Sequence, residues 1–495
     1  MDMASRRTST LLLCAITGAS LAAAAVPCNA APGFTTSPLR TSASAQTTSG
    51  FVVHFKDNST SAQGVSRAAR TSSAMWASST SLREVVDHAA KARGARVAAS
   101  LARANDSMSV QVSKGLDEKS AKAFMSEIES NPEVASVEPV IHMTINEQTG
   151  KKVRTTAAAS APNDEYWNRQ WGLNSEKGID APGAWSTSTG SGVTVAVIDS
   201  GITQHPDLAG KILPGYDFIS DGRIAGDGDG RDNDPSDEGD WTLAGQCGPR
   251  ARDSSWHGSH VAGIIGASTN NGRGIAGAAP NSKVLPVRAL GHCGGTDVDI
   301  ADAITWSSGG RVPGVPTNTH PAKVINMSLG GPSSYCPTSY QRAIDNARSR
   351  GATIVVAAGN ESMDASRSTP GNCRGVVVVG ATGQTGSQSY FSNYGSTVDV
   401  SAPGGDDRTG DLILSTVNSG RRTPQSPAYG YMEGTSQATP HVAAIAALML
   451  SANPNLTSSQ IESILKQSVK PARCYSGCGT GIVDARKAVQ TARYA

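Results

Sequence analysis

Aromatic side chains are scarce in this chain: 6 Phe, 10 Tyr and 7 Trp among 495 residues. With 53 Gly and long Ala-containing stretches, that scarcity argues for close helix–sheet packing and many turns. No Lys/Arg block exists that would grip nucleic acid, and a formal net charge of +2 selects no class of partner. CxxC pairs and the HExxH glutamate are absent, which removes the commonest zinc signatures. A single stretch, Leu11 to Val26, is apolar enough to engage a bilayer. It follows Arg6 and Arg7 and ends in small residues near Cys28-Asn29-Ala30. It is Ala-heavy and short for a ~20-residue span, so residues 1–30 read as an export signal rather than an anchor. Pro27 weakens a lipid attachment at Cys28.

Two of the 8 cysteines, Cys14 and Cys28, fall in that signal. An even number remains, which in an exported chain reads as disulfides, although several connectivities are open. Cys474–Cys478 is favoured because its Tyr-Ser-Gly spacer can close a tight loop. Cys336–Cys373 would tie two surface loops, leaving Cys247–Cys293.

The length implies more than one segment. Residues 1–157 hold 17 Lys+Arg against 12 Asp+Glu, whereas 158–495 hold 26 against 29, so a basic leader precedes a slightly acidic body. Residues 31–50 are a Ser/Thr/Ala linker. Residues 51–145 contain a strand at Phe51–Phe55, an unclear Ala/Arg/Ser-rich stretch over 61–105, and a strand at Ser109–Val112. A helix follows over Glu118–Glu129, with Ala121, Phe124, Met125 and Ile128 on its apolar face. Pro132 stops it, and two short strands lie within Val134–Met143, one of them Val137–Ile141. This is a small α+β domain. Residues 146–162 turn basic and aperiodic, a linker open to proteolysis.

From 163 to 495 apolar strands alternate with helices. Strands are expected at Val193–Ile198, Val284–Ala289, Val324–Met327, Thr353–Ala357, Val376–Val379 and Val398–Val400. Helices are expected at His257–Ile265, Asp297–Trp306, Ser339–Ser349, Gln437–Ala452 and Ser458–Ser468. The pattern is α/β, a buried parallel sheet with helices on both faces. Function collects at the carboxyl ends of such strands, where Asp199 and Asn360 stand.

Three distant segments carry chemistry. Val195-Ala196-Val197-Ile198-Asp199-Ser200-Gly201 ends an apolar run on a carboxylate. His257-Gly258-Ser259-His260-Val261-Ala262-Gly263 opens a small-residue helix on an imidazole. Gly434-Thr435-Ser436-Gln437-Ala438-Thr439-Pro440-His441 opens another on a hydroxyl. Singly, each has a plain reading: a strand-end turn, a solvent-facing helix start, an N-cap. Jointly they supply a nucleophile, a base, and a carboxylate to hold the base's tautomer.

In this chain order, Asp199, His257 and Ser436 resemble the catalytic set of the subtilisin-like (subtilase) family, over roughly Trp171 to Ala488. The resemblance implies a three-layer fold and a serine endopeptidase working through an acyl-enzyme. It implies that Asn360, in Val355-Val356-Ala357-Ala358-Gly359-Asn360, donates its amide to the oxyanion beside the Ser436 N–H. Ser328, Leu329 and Gly330 match the substrate-binding edge. Gly294 and Gly295 match the opposing edge, where Cys293 departs from simpler members. The entry suggests a broad pocket for uncharged side chains.

The carboxylates between Asp221 and Asp240 alternate with Gly and suit a hard cation. Structural calcium is expected on Asp217, Asp227, Asp229, Asp232 and Asp237, or on Asp207 with Asn270 or Asn271; no organic cofactor is expected. Phe51–Thr144 resembles the family's propeptide, which implies a leader that docks on the substrate edges, aids folding and inhibits until it is cut between about Arg154 and Asn163. The expected partners are polypeptide substrates and this leader, with no nucleic acid and no membrane after processing. The expected form is a secreted monomer, passing the periplasm in a Gram-negative host. A catalytically silent relative would have lost one of Asp199, His257, Ser436 or Asn360. An acid-acting Ser-Glu-Asp relative would lack His257 and Asn360 in these places. A peptide-end-clipping exopeptidase stays open.

Overall fold

The computed structural model describes residues 47–71, 80–145, 148–149 and 161–495. The export signal, Cys14, Cys28 and most of both linkers lie outside them. Gln46–Ala495 forms one compact unit.

Its leading part is a four-stranded antiparallel sheet, ordered Val97–Arg103, Ser107–Leu116, Thr48–Phe55, Val134–Pro139. The central strand turns Phe51, Val53 and Phe55 inward, onto Val110, Phe124 and Ile128. The last two come from the helix Glu118–Glu129, whose first turn is capped by Asp117 accepting from the Ser120 N–H at 2.8 Å. The stretch that composition left unclear holds helices Thr60–Thr71 and Thr80–Lys91 and the strand Val97–Arg103. Its apolar faces are short (Leu82, Val86, Ala89 and Ala90 on the second helix), half of them Ala, and so give a weak periodic signal. The following strand is Val134–Pro139, not Val137–Ile141.

The larger part centres on a nine-stranded sheet. Its order is Val469–Lys470, Ile482–Val483, Val400–Pro403, Val377–Thr382, Thr353–Ala357, Val324–Met327, Thr194–Asp199, Lys283–Arg288, Tyr216–Asp217. All pairs are parallel except the first. Alternate residues serve opposite faces: Val195 and Val197 meet the core of the helix Thr435–Ala452, Ala196 and Ile198 that of Asp297–Ser307 and Thr338–Ser349. Burial on both faces explains the unbroken apolar runs. The Val398–Val400 strand instead starts its pairing at Val400, opposite Val379. An unforeseen hairpin, Ile413–Asn418 with Pro427–Glu433, packs on the helix His257–Gly266. Three disulfides form, Cys247–Cys293, Cys336–Cys373 and Cys474–Cys478.

Charge fastens the leading part to the body. Arg103 reaches Asp299 at 2.6 Å and Asp302 at 3.3 Å, and Arg231 reaches the same carboxylates at 2.7 and 2.8 Å. Despite burial, the two guanidinium groups hold the Asp299 carboxyl well below its ordinary range. Glu138 accepts the Thr338 and Ser339 N–H groups at 3.2 Å each, at a helix N-terminus that favours anions, and sits 2.7 Å from His54.

Candidate active site

Asp199 ends a strand and is fully buried. Its Oδ1 accepts the Ser200 N–H at 2.7 Å and lies 2.6 Å from His257 Nδ1. His257 starts its helix directly after Trp256, whose φ of 57° reverses the chain. Gly258 lets that turn settle on the strand end, for a Cβ there would lie 2.2 Å from the Gly201 carbonyl oxygen. Ser436 stands in the first turn of Thr435–Ala452, which packs against the His257 helix. Its hydroxyl donates to the Ser328 carbonyl at 3.1 Å, and the Ser328 hydroxyl donates back to the Ser436 carbonyl at 2.8 Å.

The Asn360 amide and the Ser436 backbone nitrogen both lie close to Gly434. The Thr435 N–H and hydroxyl both donate to Asn360 Oδ1 at 2.8 Å, which directs the Asn360 amide nitrogen toward Gly434. A Cβ on Gly434 would lie 3.4 Å from Asn360 Nδ2 and 3.5 Å from the Ser436 nitrogen. The Gln437 Oε1 atom lies nearer still, 2.7 Å from the same position, so a side chain on Gly434 would collide there. Preorganised donors stabilise developing negative charge on oxygen.

The two glycine-rich edges hold a strand of the chain itself. His142–Met143 pairs antiparallel with Gly295–Thr296, and Thr144 exchanges both backbone bonds with Gly330, at 3.0 and 3.3 Å. A side chain on Gly294 would collide with the Met143 carbonyl, 2.0 Å away. Met143 and Ile145 point inward and are buried with Leu290 and Leu329, whereas His142 and Thr144 face out. Beyond Ile145 the chain is described again at Gln148–Thr149, which pairs with Met432 and Glu433 immediately before Gly434.

The acidic residues do not gather into one cage. Asp217 and Asp227 both hold the buried Arg288 guanidinium, at 2.5 and 2.7 Å, so a side-chain cation already stands between them. Asp237 takes the Ser200 hydroxyl at 2.7 Å and the Gly239 N–H at 2.9 Å. Asp232 accepts the Asp234 N–H, and Asp229 is exposed. Among the described residues, Asp217, Asp227, Asp229, Asp232 and Asp237 therefore do not share one cage. Asp207 is buried; it accepts Asn271 Nδ2 at 2.7 Å on one oxygen, and the Ile275 N–H and Tyr429 hydroxyl at 2.9 Å on the other. Asp164 holds the Asn270 N–H of the same loop at 2.9 Å. Burial raises its carboxyl above the ordinary value, and the charge of Asp207 adds to that rise. Among the described residues no three or more His, Cys, Asp or Glu side chains converge as metal ligands.

Sequence reasoning missed the parts played by Ser200 and Arg288. A lone Arg ending the run Val284-Leu285-Pro286-Val287-Arg288 was the available sign of buried carboxylate partners.

Residues 190–483 match the model of the Subtilase family. An "Extracellular protease" of Xanthomonas campestris pv. campestris is 46% identical over 91% of this chain and 74% of its own. An "Extracellular basic protease" of Dichelobacter nodosus is 46% identical over 75% of this chain and 60% of its own. A solved protease of Pseudoalteromonas arctica is 53% identical, with a TM-score of 0.66 over 67% of this chain and all of its own.

Proposed function

The chain belongs to the subtilase family of serine proteases, and from that membership we propose that it is a secreted endopeptidase working through Ser436, His257 and Asp199 and made as a self-processed precursor. Ser436 attacks the peptide carbonyl, His257 takes its proton and returns it to the leaving amine, and Asp199 stabilises the imidazolium. The observation that carries the reading is the buried 2.6 Å contact between Asp199 and His257, set beside a serine whose helix packs on the histidine's own.

Asn360 and the Ser436 N–H serve as the oxyanion donors. Asn360→Ala should lower kcat about 10²–10³-fold, the range measured for such a donor in a subtilisin, while KM for a peptide substrate stays nearly constant. An unchanged kcat would remove Asn360 from the machinery. The names of the two curated relatives support an extracellular setting.

Residues 51–145 act as the intramolecular inhibitor. Pairing at Thr144 on one side and Gln148 on the other supports a first cut between Ile145 and Gln148, upstream of the expected Arg154–Asn163 region. Asn163 is itself tied down, with its N–H donating to Asn270 Oδ1 at 3.2 Å and its Oδ1 accepting the Gly272 N–H at 2.8 Å. That suits trimming of the linker up to this point as a second step.

Structural calcium is proposed at the Asp207–Asn271 loop, where the Asn271 amide would turn its oxygen toward Asp207 and Asp164 would add a carboxylate, because a cation there would relieve the repulsion between two carboxylates. Binding only the folded form, it stabilises by mass action. Chelation should lower the melting temperature by about 5 °C, and Asp207→Asn should abolish that difference. A melt indifferent to chelator would exclude the ion.

A further inference from the structure

The acidic insert between Asp199 and His257 has two carboxylates that the catalytic scheme does not use. Asp237 is 1% exposed. Its Oδ2 accepts the Ser200 hydroxyl at 2.7 Å, and that same Ser200 oxygen accepts the Gly258 N–H at 3.0 Å. The Ser200 N–H meanwhile donates to Asp199 Oδ1. One residue thus ties Asp237, Asp199 and the residue after His257 into a single connected set. On the other flank, Asp240 accepts the Ser255 N–H at 2.6 Å and its hydroxyl at 2.8 Å. Ser255 lies two residues before His257, against the left-handed turn at Trp256, whose indole N–H is held by the Gly420 carbonyl at 2.7 Å.

We propose that Asp237 and Asp240 are positioning residues for catalysis: they clamp the backbone on both sides of His257, through Ser200–Gly258 and through Ser255, and so fix the imidazole against Asp199. The insert then supports the base directly. The proposal rests on His257 being the general base.

A hydroxyl that accepts from one group and donates to another orients both; alanine at position 200 breaks both bonds, whereas threonine keeps them. Displacing a catalytic group by a fraction of an ångström costs ten- to about a hundredfold in rate. The test measures kcat and KM on a soluble peptide, with active sites counted by a fluorophosphonate so that only folded enzyme enters the rate. Ser200→Ala and Asp237→Ala should each lower kcat about tenfold or more, with KM within about twofold. Ser200→Thr should restore kcat to near wild type, and the Ser200→Ala/Asp237→Ala double variant should be no slower than the slower single, since both act through one hydroxyl. Asp240→Ala should likewise depress kcat rather than KM. Normal kcat in the single variants with only a lowered melting temperature, or losses that multiply in the double variant, would overturn the clamp. Where a variant fails to mature, the self-cleavage rate of its precursor is read instead, and equal failure of Ser200→Thr and Ser200→Ala counts against the proposal. Wild-type enzyme that takes no label at Ser436 would sink the catalytic assignment underneath.

Discussion

Ser436→Ala precursor should accumulate uncut, and processed enzyme carrying the change should lose about 10⁶-fold in turnover, since members of a nucleophile–base pair act as a unit. The hydroxyl donates to the Ser328 carbonyl and sits inside a helix that keeps its packing on the neighbouring helix. Its removal should therefore leave the melting temperature within about 1 °C. Mass mapping after treatment with a fluorophosphonate should find the adduct on Ser436 in the wild type and on no residue in the variant. An adduct elsewhere, or self-cleavage by the variant, would contradict the assignment.

The second large effect is expected for Asp199→Asn, about 10⁴-fold in kcat. Oδ1 of Asp199 is approached by two N–H groups, from Ser200 and from the imidazole. An amide at this position has one oxygen and one NH2. If the oxygen stays with the Ser200 N–H, the amide retains a hydrogen-bond acceptor but no charge to balance an imidazolium. If the NH2 turns inward, it forces the imidazole into the wrong tautomer. Either way the side chain keeps its volume, so folding should survive while catalysis does not. A kcat within tenfold of wild type at neutral pH would mean that Asp199 has a structural role only.

Much of this was legible in the chain. Asp199, His257, Ser436 and Asn360 each lie at or just beyond the end of an element whose apolar pattern is strong, so their places in the fold could be read. The helix Glu118–Glu129 was readable to its ends because a capping Asp117 and a stopping Pro132 bracket it. What escaped depended on distant partners. The acidic insert reads as a cation loop because local spacing says nothing of Arg288, 51 positions beyond Asp237 and in another element. The hairpin of Ile413–Asn418 and Pro427–Glu433 escaped because its second strand is only partly buried and its polar residues hide the alternation. The strand His142–Met143 has two residues and forms only because an edge awaits it.

Arg103, Glu138 and the Met143 segment share one property. Each fastening of the leading domain described above lies on the N-terminal side of the proposed cut between Ile145 and Gln148. Severing the backbone there leaves those fastenings whole, with a buried side chain still seated in the cleft and a guanidinium still locked between two carboxylates. If the leader is cut there, as proposed, cutting and release would be separate events, and the delay between them would be set by how fast the severed leader lets go or is itself digested.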